Sequence, residues 1–330
     1  MKSVMILALL LILGCQKKEE ANNTLWIYTS MYKDTISKLT PLLKKDFPGV
    51  DFKFYQAGSE DIATKVNAEI MANNVQADIL ISSDRFWYEE LSDNNYLHSF
   101  TPNKSNEIDP SLKHPESYYH TVSIPVMVLA YNNEVISKED APKSFKELST
   151  PEWNQKFTTG SPLSSGTNFT TMAMLQYHYG WDYFKKLKNN QTIAQGGNSS
   201  VLRRIQSKER PVGWVLLENL LRFQDKDNRL EIIYPEDGVV THSNVMAITK
   251  KKGKRELAQK FVNWMYEKKG QKAMTDSFMY SPLASFEAPK GAPSFNKLLK
   301  NSFKWDQKFI KDVTAKRSEL KEKYTEIMFQ

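Results

Sequence analysis

From Leu25 to about residue 93 the chain repeats one pattern. A short apolar run closes in small polar residues, and a stretch with helical spacing follows. Leu25-Trp26-Ile27-Tyr28 ends in Thr29-Ser30 and leads into a helix running to about Asp46. Pro41 inside that stretch predicts either a late helix start, with Thr40 as N-cap, or a kink. Phe47-Pro48-Gly49 stops the helix, and Val50, Phe52 and Phe54 alternate as in a half-buried strand. Ser59 reads as the N-cap of a second helix, with Ile62, Val66 and Ile70 on one face. Ala77 to Ile81 forms a third strand, and Ser82-Ser83-Asp84 opens a third helix. Strands separated by helices can pair in parallel, so the pattern predicts an α/β sheet with a strong parallel component.

Beyond this unit the sequence predicts a strand-rich stretch from Val122 to Tyr131 and helices over about Thr167–Tyr179 and Ser199–Ser207. Strands are expected over Pro211–Leu216, Leu230–Tyr234 and Val239–Ile248. The last third reads as helical: Arg255–Glu267, Lys269–Phe278 and a long charged helix near Asp312–Met328. Neither an internal repeat nor a second long apolar run is visible.

The N-terminus supplies a cellular address. Lys2 precedes an unbroken apolar run from Val4 to Leu13, which ends in Gly14-Cys15. As a helix these ten residues span about 15 Å, half of what a bilayer crossing needs, so the segment reads as a secretory signal. The ending resembles a bacterial lipoprotein signal, which implies cleavage after residue 14 and acylation of Cys15. Gln16 to Asn23, QKKEEANN, then reads as a flexible polar tether. Cys15 is the only cysteine in the 330 residues, so no disulfide or thiolate metal site is expected and packing must hold the fold. The formal charge is +7, and +6 once Lys2 leaves with the signal. Export and the scatter of the lysines disfavour nucleic acid. Lys250-Lys251-Lys252-Gly253-Lys254-Arg255 reads as a solvated turn before a helix.

Small polar residues mark five turns where a strand-like run meets a helix: Thr29-Ser30, Gly58-Ser59-Glu60, Ser82-Ser83, Ser164-Ser165-Gly166-Thr167 and Gly197-Asn198-Ser199-Ser200. Helix N-termini offer unpaired N–H groups and the positive end of the macrodipole. In open α/β sheets ligands bind beyond the carboxyl ends of the strands, where these turns gather. Each alone is better explained as an N-cap than as a ligand contact; Ser164 to Thr167 is the exception, with more hydroxyls than one cap uses. Gly-x-Ser-x-Gly, His-Glu-x-x-His and a phosphate loop ending in Gly-Lys-Ser/Thr are absent. The five histidines, at 98, 114, 120, 178 and 242, lack metal-ligand spacing. Neither an enzyme nor a cofactor is expected.

Trp26 to Ser30, Ser164 to Thr167, Pro211-Val212-Gly213 and Tyr234-Pro235-Glu236-Asp237-Gly238 resemble motifs of solute-binding proteins of ATP-driven (ABC) importers. Phe261 to Met265, Gly270-Gln271 and Tyr280-Ser281-Pro282-Leu283 follow in the same order. The nearest branch handles ferric iron, thiamine, polyamines and phosphorylated or phosphonate compounds. The resemblance implies a type II periplasmic-binding fold: two α/β lobes joined by hinge strands and closing on ligand. It places the crossings near Ile124-Pro125 and Pro235 to Val240. One lobe then takes residues 24–124 and 239–285, the other 125–238 and 286–330 with the C-terminal helices. An ABC permease and a bacterial membrane, reached through the lipid, are the implied partners.

Iron-binding members carry adjacent tyrosines where this chain reads Leu216-Leu217-Glu218-Asn219, so the pair is missing. Tyr28, Glu60, Glu218, Tyr234 and His242 are left as a nonstandard hard-metal set, the basis of a ferric-iron alternative. The Ser/Thr/Gly turns suit a phosphate or phosphonate better. Candidate ligand contacts are therefore Tyr28, Thr29, Ser30, Ser59, Glu60, Ser82, Ser83, Ser164, Ser165, Gly166, Thr167, Asn198, Ser199, Glu218, Asn219 and Tyr234. Glu218 and Asn219 would serve an organic hydroxyl or amine; Trp26, Trp87 and Trp214 are candidate cleft walls, although aromatics this large more often fill a core. A lipoprotein with a structural or signalling role and no transport is a further alternative.

Overall fold

The computed structural model describes residues 23–330; Cys15 and the tether to Asn22 lie outside the described residues. The first passage of the chain is β1 (Thr24–Thr29), α1 (Lys33–Asp46), β2 (Asp51–Gln56), α2 (Ser59–Met71), β3 (Ile79–Ser82) and α3 (Arg85–Asp93). Two short strands, β4 (Leu97–His98) and β5 (His120–Ser123), complete it. The second passage is β6 (Val126–Asn132), β7 (Phe157–Thr159), α4 (Gly166–Asn189), β8 (Ile193–Ala194), α5 (Asn198–Gln206), β9 (Val212–Leu216), α6 (Leu217–Phe223), β10 (Leu230–Ile233) and β11 (Val240–Thr241). The chain then runs through β12 (Asn244–Thr249), α7 (Arg255–Tyr266), α8 (Lys268–Thr275), α9 (Phe295–Lys300), α10 (Gln307–Ala315) and α11 (Arg317–Phe329).

Two mixed sheets result, each the centre of one lobe. The first has the order β2-β1-β3-β12-β4 with β5 on β12, and β1 pairs in parallel with both β2 and β3. The second has the order β10-β6-β9-β7-β8 with β11 on β6. The expected α/β class is therefore the observed one. Its parallel strands are joined by antiparallel partners: β12 runs against β3, and β6 runs against β9.

Two expected strands turn out to be crossings. The stretch from Val122 to Tyr131 breaks at Ile124-Pro125, where β5 ends in the first sheet and β6 begins in the second. The stretch from Val239 to Ile248 breaks at His242-Ser243, because Val240 and Thr241 still pair with Met127 and Val126. The return thus lies beyond Val240, and the boundary at residue 239 moves accordingly. A third passage abuts these two: Tyr280 exchanges backbone hydrogen bonds with Ile124, and the His242 N–H donates to the Pro125 carbonyl.

Local differences have local causes. Pro41 sits inside α1, which starts at Lys33 rather than after Thr40. Gly58, not Ser59, holds the N-cap position of α2. Gly180, at φ 71°, has non-helical backbone and divides α4, so its first part ends at Tyr179 as expected and a second helical part follows to Asn189. The charged C-terminal segment is two helices broken at Lys316, not one. That break places Arg317 at the start of α11, facing the other lobe. Phe86 of α3 is likewise buried in the second-lobe core, with ring centroids 5.8 Å from Phe169 and 5.8 Å from Phe309. The C-terminal helices consequently touch both lobes instead of the second alone.

Candidate functional site

A cavity of about 170 Å³ lies between the lobes. The N-cap residues of four helices line it: Tyr32 for α1, Gly58 for α2, Ser165 for α4 and Gly197 for α5. Two of these helices rise from the carboxyl ends of β1 and β2, so the strand–helix pattern itself delivers them to one place. Each start leaves N–H groups without intrahelical partners, and the dipoles add positive potential. Among the described residues no lysine, arginine or histidine lines the cavity. Positive potential here must come from oriented peptide groups.

Hydroxyls fill in around them. Ser30, Ser59 and Ser83 come from the first lobe, and Ser164, Ser165, Thr167 and Ser199 from the second. Ser59 Oγ and Ser83 Oγ are 2.7 Å apart, and Ser165 Oγ lies 3.1 Å from Thr167 Oγ1. Asn198 Nδ2 donates to Thr167 Oγ1 at 3.0 Å. Behind them buried Asn168 donates to Ser165 Oγ (3.0 Å) and Asn198 Oδ1 (3.1 Å), and accepts from Trp214 Nε1 (3.0 Å). This network fixes the hydroxyl positions before any ligand arrives.

Among the described residues Glu218 is the one acid at the cavity, buried, with Oε2 lacking a hydrogen-bond partner. Burial pushes its pKa up to about 8, against the opposing pull of Arg222. Near neutral pH it is a protonated acid that can donate. Beside it Tyr32 donates to Asn219 Oδ1 at 2.9 Å, and burial raises the Tyr32 phenol as well.

The lobes meet around this cavity at very short range. A Cβ on Gly58 would stand 2.9 Å from the Ser164 carbonyl, and one on Gly166 would stand 2.8 Å from the Asp84 amide nitrogen. On one flank Arg222 pairs with Asp34 at 2.8 Å. On the other, Arg317 donates to Asp84 Oδ2 (2.8 Å) and to both oxygens of Glu60 (3.1 and 3.0 Å), while Lys321 reaches Glu60 at 2.5 Å. Burial and Asp84 raise the Glu60 pKa while Arg317 and Lys321 pull it down. Burial lowers that of Arg317, but Asp84 and Glu60 outweigh it and keep the guanidinium charged.

Of the residues singled out in the sequence, Ser30, Ser59, Ser83, Ser164, Ser165, Thr167, Asn198, Ser199 and Glu218 line the cavity. Asn219 stands one residue behind, on Tyr32. The others do other work. Tyr28 donates to Glu69 at 2.8 Å and Thr29 accepts from the Met31 amide. Ser82 donates to Tyr88, and Glu60 faces Arg317. Gly166 allows the close approach to Asp84, and Tyr234 borders a separate groove. Trp87 and Trp214 are core rather than cleft walls, since indoles this large fill lobe interiors, and Trp26 is a surface residue. The hard-metal set is dispersed: only Glu218 of its five members reaches the cavity, and His242 is buried in the hinge, where burial lowers its pKa to about 3. Among the described residues no group of three His, Cys, Asp or Glu side chains is placed to hold a metal. Sequence reasoning missed Tyr32, Gln56 and Asn244. Tyr32 was open to inference, since it directly precedes the helix that follows Thr29-Ser30.

The chain matches the family model of bacterial extracellular solute-binding proteins over residues 74–310, and it belongs to that family. It is 24% identical over 226 residues to the "Probable ABC transporter periplasmic-binding protein y4fP" of Sinorhizobium fredii, covering 66% of this chain and 62% of that one. It thus spans somewhat under two thirds of that relative's length. Its fold is similar to the periplasmic binding protein AfuA of Actinobacillus pleuropneumoniae with fructose-6-phosphate bound (TM-score 0.81, 23% identity, 92% and 98% of the two chains). It is also similar to iron-bound HitA of Pseudomonas aeruginosa (0.79, 20%, 91% and 99%) and to a periplasmic thiamin-binding protein (0.77, 18%, 93% and 96%). The two-lobed periplasmic-binding fold implied by the sequence is the one observed. No described helix is long and apolar enough to cross a membrane.

Proposed function

We propose that this protein is a lipid-anchored receptor, working outside the cytoplasm, that captures a small phosphate- or phosphonate-bearing solute between its lobes. It would deliver that solute to an ABC permease. The observation that supports this reading is the convergence of four helix N-termini and seven serine and threonine hydroxyls on a cavity that no cationic side chain lines among the described residues. Such a donor set matches a tetrahedral oxyanion, whose several oxygens each accept more than one hydrogen bond. Protonated Glu218 and nearby Asn219 would meet the organic part. A ferric ion needs anionic oxygen or phenolate ligands, and the cavity offers one carboxyl group, Glu218, and one phenol, Tyr32, which donates to Asn219 and is held protonated by burial. Capture would shift an open–closed equilibrium toward the form a permease recognises.

Native mass spectrometry of gently purified protein tests both parts of this reading. An organic phosphate or phosphonate is expected to co-purify, and the chain mass should show acylated Cys15. Ser165→Ala combined with Thr167→Ala should weaken that ligand about 10- to 100-fold, as expected for hydroxyl bonds to a charged group. Loss of the Ser165 cap should cost about 1 kcal/mol of stability. Unchanged affinity, or iron in place of an organic anion, would overturn the assignment.

A further inference from the structure

The end of the first lobe opposite the cavity gathers features that ligand capture does not use. Lys250, Lys251, Lys252, Lys254 and Arg255 occupy the turn from β12 into α7, with Lys250, Lys252 and Arg255 exposed. Lys251 is neutralised by Asp78 at 3.2 Å; Glu256 is the other acid of the turn, and Asp51 nearby is paired with Lys53. Among the described residues four of these cations therefore have no carboxylate partner, and three of them, Lys250, Lys252 and Arg255, are exposed. Arg255 and Lys250 depress the pKa of neighbouring His98, after burial, as a positive field should.

Two exposed aromatics share this end. Trp26, 39% exposed, donates its amide to the same Asp78 that holds Lys251. Tyr96, 42% exposed, accepts the Lys250 amide at 3.0 Å. The N-terminal segment arrives at the same place: Lys254 Nζ donates to the Thr24 carbonyl, and the Asn23 carbonyl accepts from Asp51 at the edge of the sheet. Eight residues, Gln16 to Asn23, separate Cys15 from this point, a reach of at most about 28 Å. Anything that holds Cys15 at a bilayer holds this end of the lobe close to it.

We infer that the Lys250–Arg255 turn, with Trp26 and Tyr96, is a docking surface for an anionic lipid bilayer that orients the tethered lobe. The inference rests on the lipid-anchor reading for its geometry. Cations near an anionic leaflet contribute about fivefold each to binding, and Trp and Tyr favour the headgroup layer. β1 places this surface at its first residue and the cavity beyond its last, about 20 Å apart. A body resting on Lys252 and Trp26 would keep its cleft turned away from the lipid.

The test removes the anchor and keeps the surface. The secreted form carrying Cys15→Ser is mixed with vesicles of phosphatidylcholine alone or with added phosphatidylglycerol, then sedimented. Binding is expected only to the anionic vesicles and should vanish at high salt. Lys250→Gln, Lys252→Gln and Arg255→Gln together should weaken it at least about tenfold with the melting temperature unchanged. The same number of changes on the other lobe, Lys297→Gln, Lys300→Gln and Lys311→Gln, should leave it intact. No binding to anionic vesicles, or equal loss in both triple variants, overturns the inference. Failure of the anchor would appear separately, as an unacylated Cys15 in the native mass.

Discussion

The cavity and the ion cluster beside it manage negative charge in opposite ways. At the cavity, donors are peptide N–H groups at four helix starts and side-chain hydroxyls, with no full positive charge. A few residues away, Arg317 and Lys321 are spent on the protein's own carboxylates, Glu60 and Asp84. The contrast has a physical logic. A permanent carboxylate can be matched by a permanent cation once, during folding. A transient anion that must later be released is better met by dipoles, which bind without the deep well of a desolvated ion pair. Cations thus belong to the frame and dipoles to the exchangeable site.

Removing the cation from the frame should have the largest effect. Arg317→Ala leaves Asp84 without its partner and Glu60 with Lys321 alone, in a place where water enters poorly. A loss of about 3–5 kcal/mol in unfolding free energy is expected, read by chemical denaturation. A loss below about 1 kcal/mol would mean that the cluster is solvated and the contrast false. Gly166→Ala probes the other side of the comparison. Its new methyl would meet Asp84 at 2.8 Å only when the lobes are closed, while alanine suits the first turn of α4. The overlap, worth about 1–3 kcal/mol, should appear as roughly 5- to 100-fold weaker ligand binding with stability unchanged. Unaltered affinity would show that the ligand-bound form does not bring α4 against α3.

Much of this architecture was legible because it is local. The period of Leu25–Ile81 and the polar residues closing each strand define the helix starts, and those starts build the cavity. The crossings were harder. Val122 to Tyr131 reads as one apolar run; the family resemblance, not the run itself, put a crossing near Ile124-Pro125, and pairing partners on two different sheets divide it there. Glu60 illustrates the limit in the site. Its place next to Ser59 at a helix start suggests a ligand contact, yet a residue 257 positions later claims it. No spacing rule reports an arginine that arrives through a helix break at Lys316. Trp87 and Trp214 are core, the commoner of the two places open to them, since an apolar ring reads the same at a cleft wall and in a core.

Glu218 gives the smallest and most diagnostic effect, because it is the one titratable carboxyl group on the dipole side of the contrast. Burial raises its pKa to about 8, so at pH 7 it is neutral and able to donate. As pH rises through 8 the proton leaves and a negative charge appears in a cavity lined by no cation, so affinity for an anion should fall. The decline approaches about tenfold per pH unit above 8, where binding requires the proton. Stability has the same sign. The unfolded carboxyl ionises near pH 4.3, so between there and pH 8 the folded chain holds the extra proton and is progressively destabilised. Glu218→Gln keeps a donor and removes the titration. Isothermal calorimetry from pH 7 to 9 should show wild-type affinity falling relative to the variant's, a ratio from which the ligand's own ionisation cancels. Parallel profiles would place the Glu218 proton outside the binding event, leaving the helix starts alone to recognise the solute.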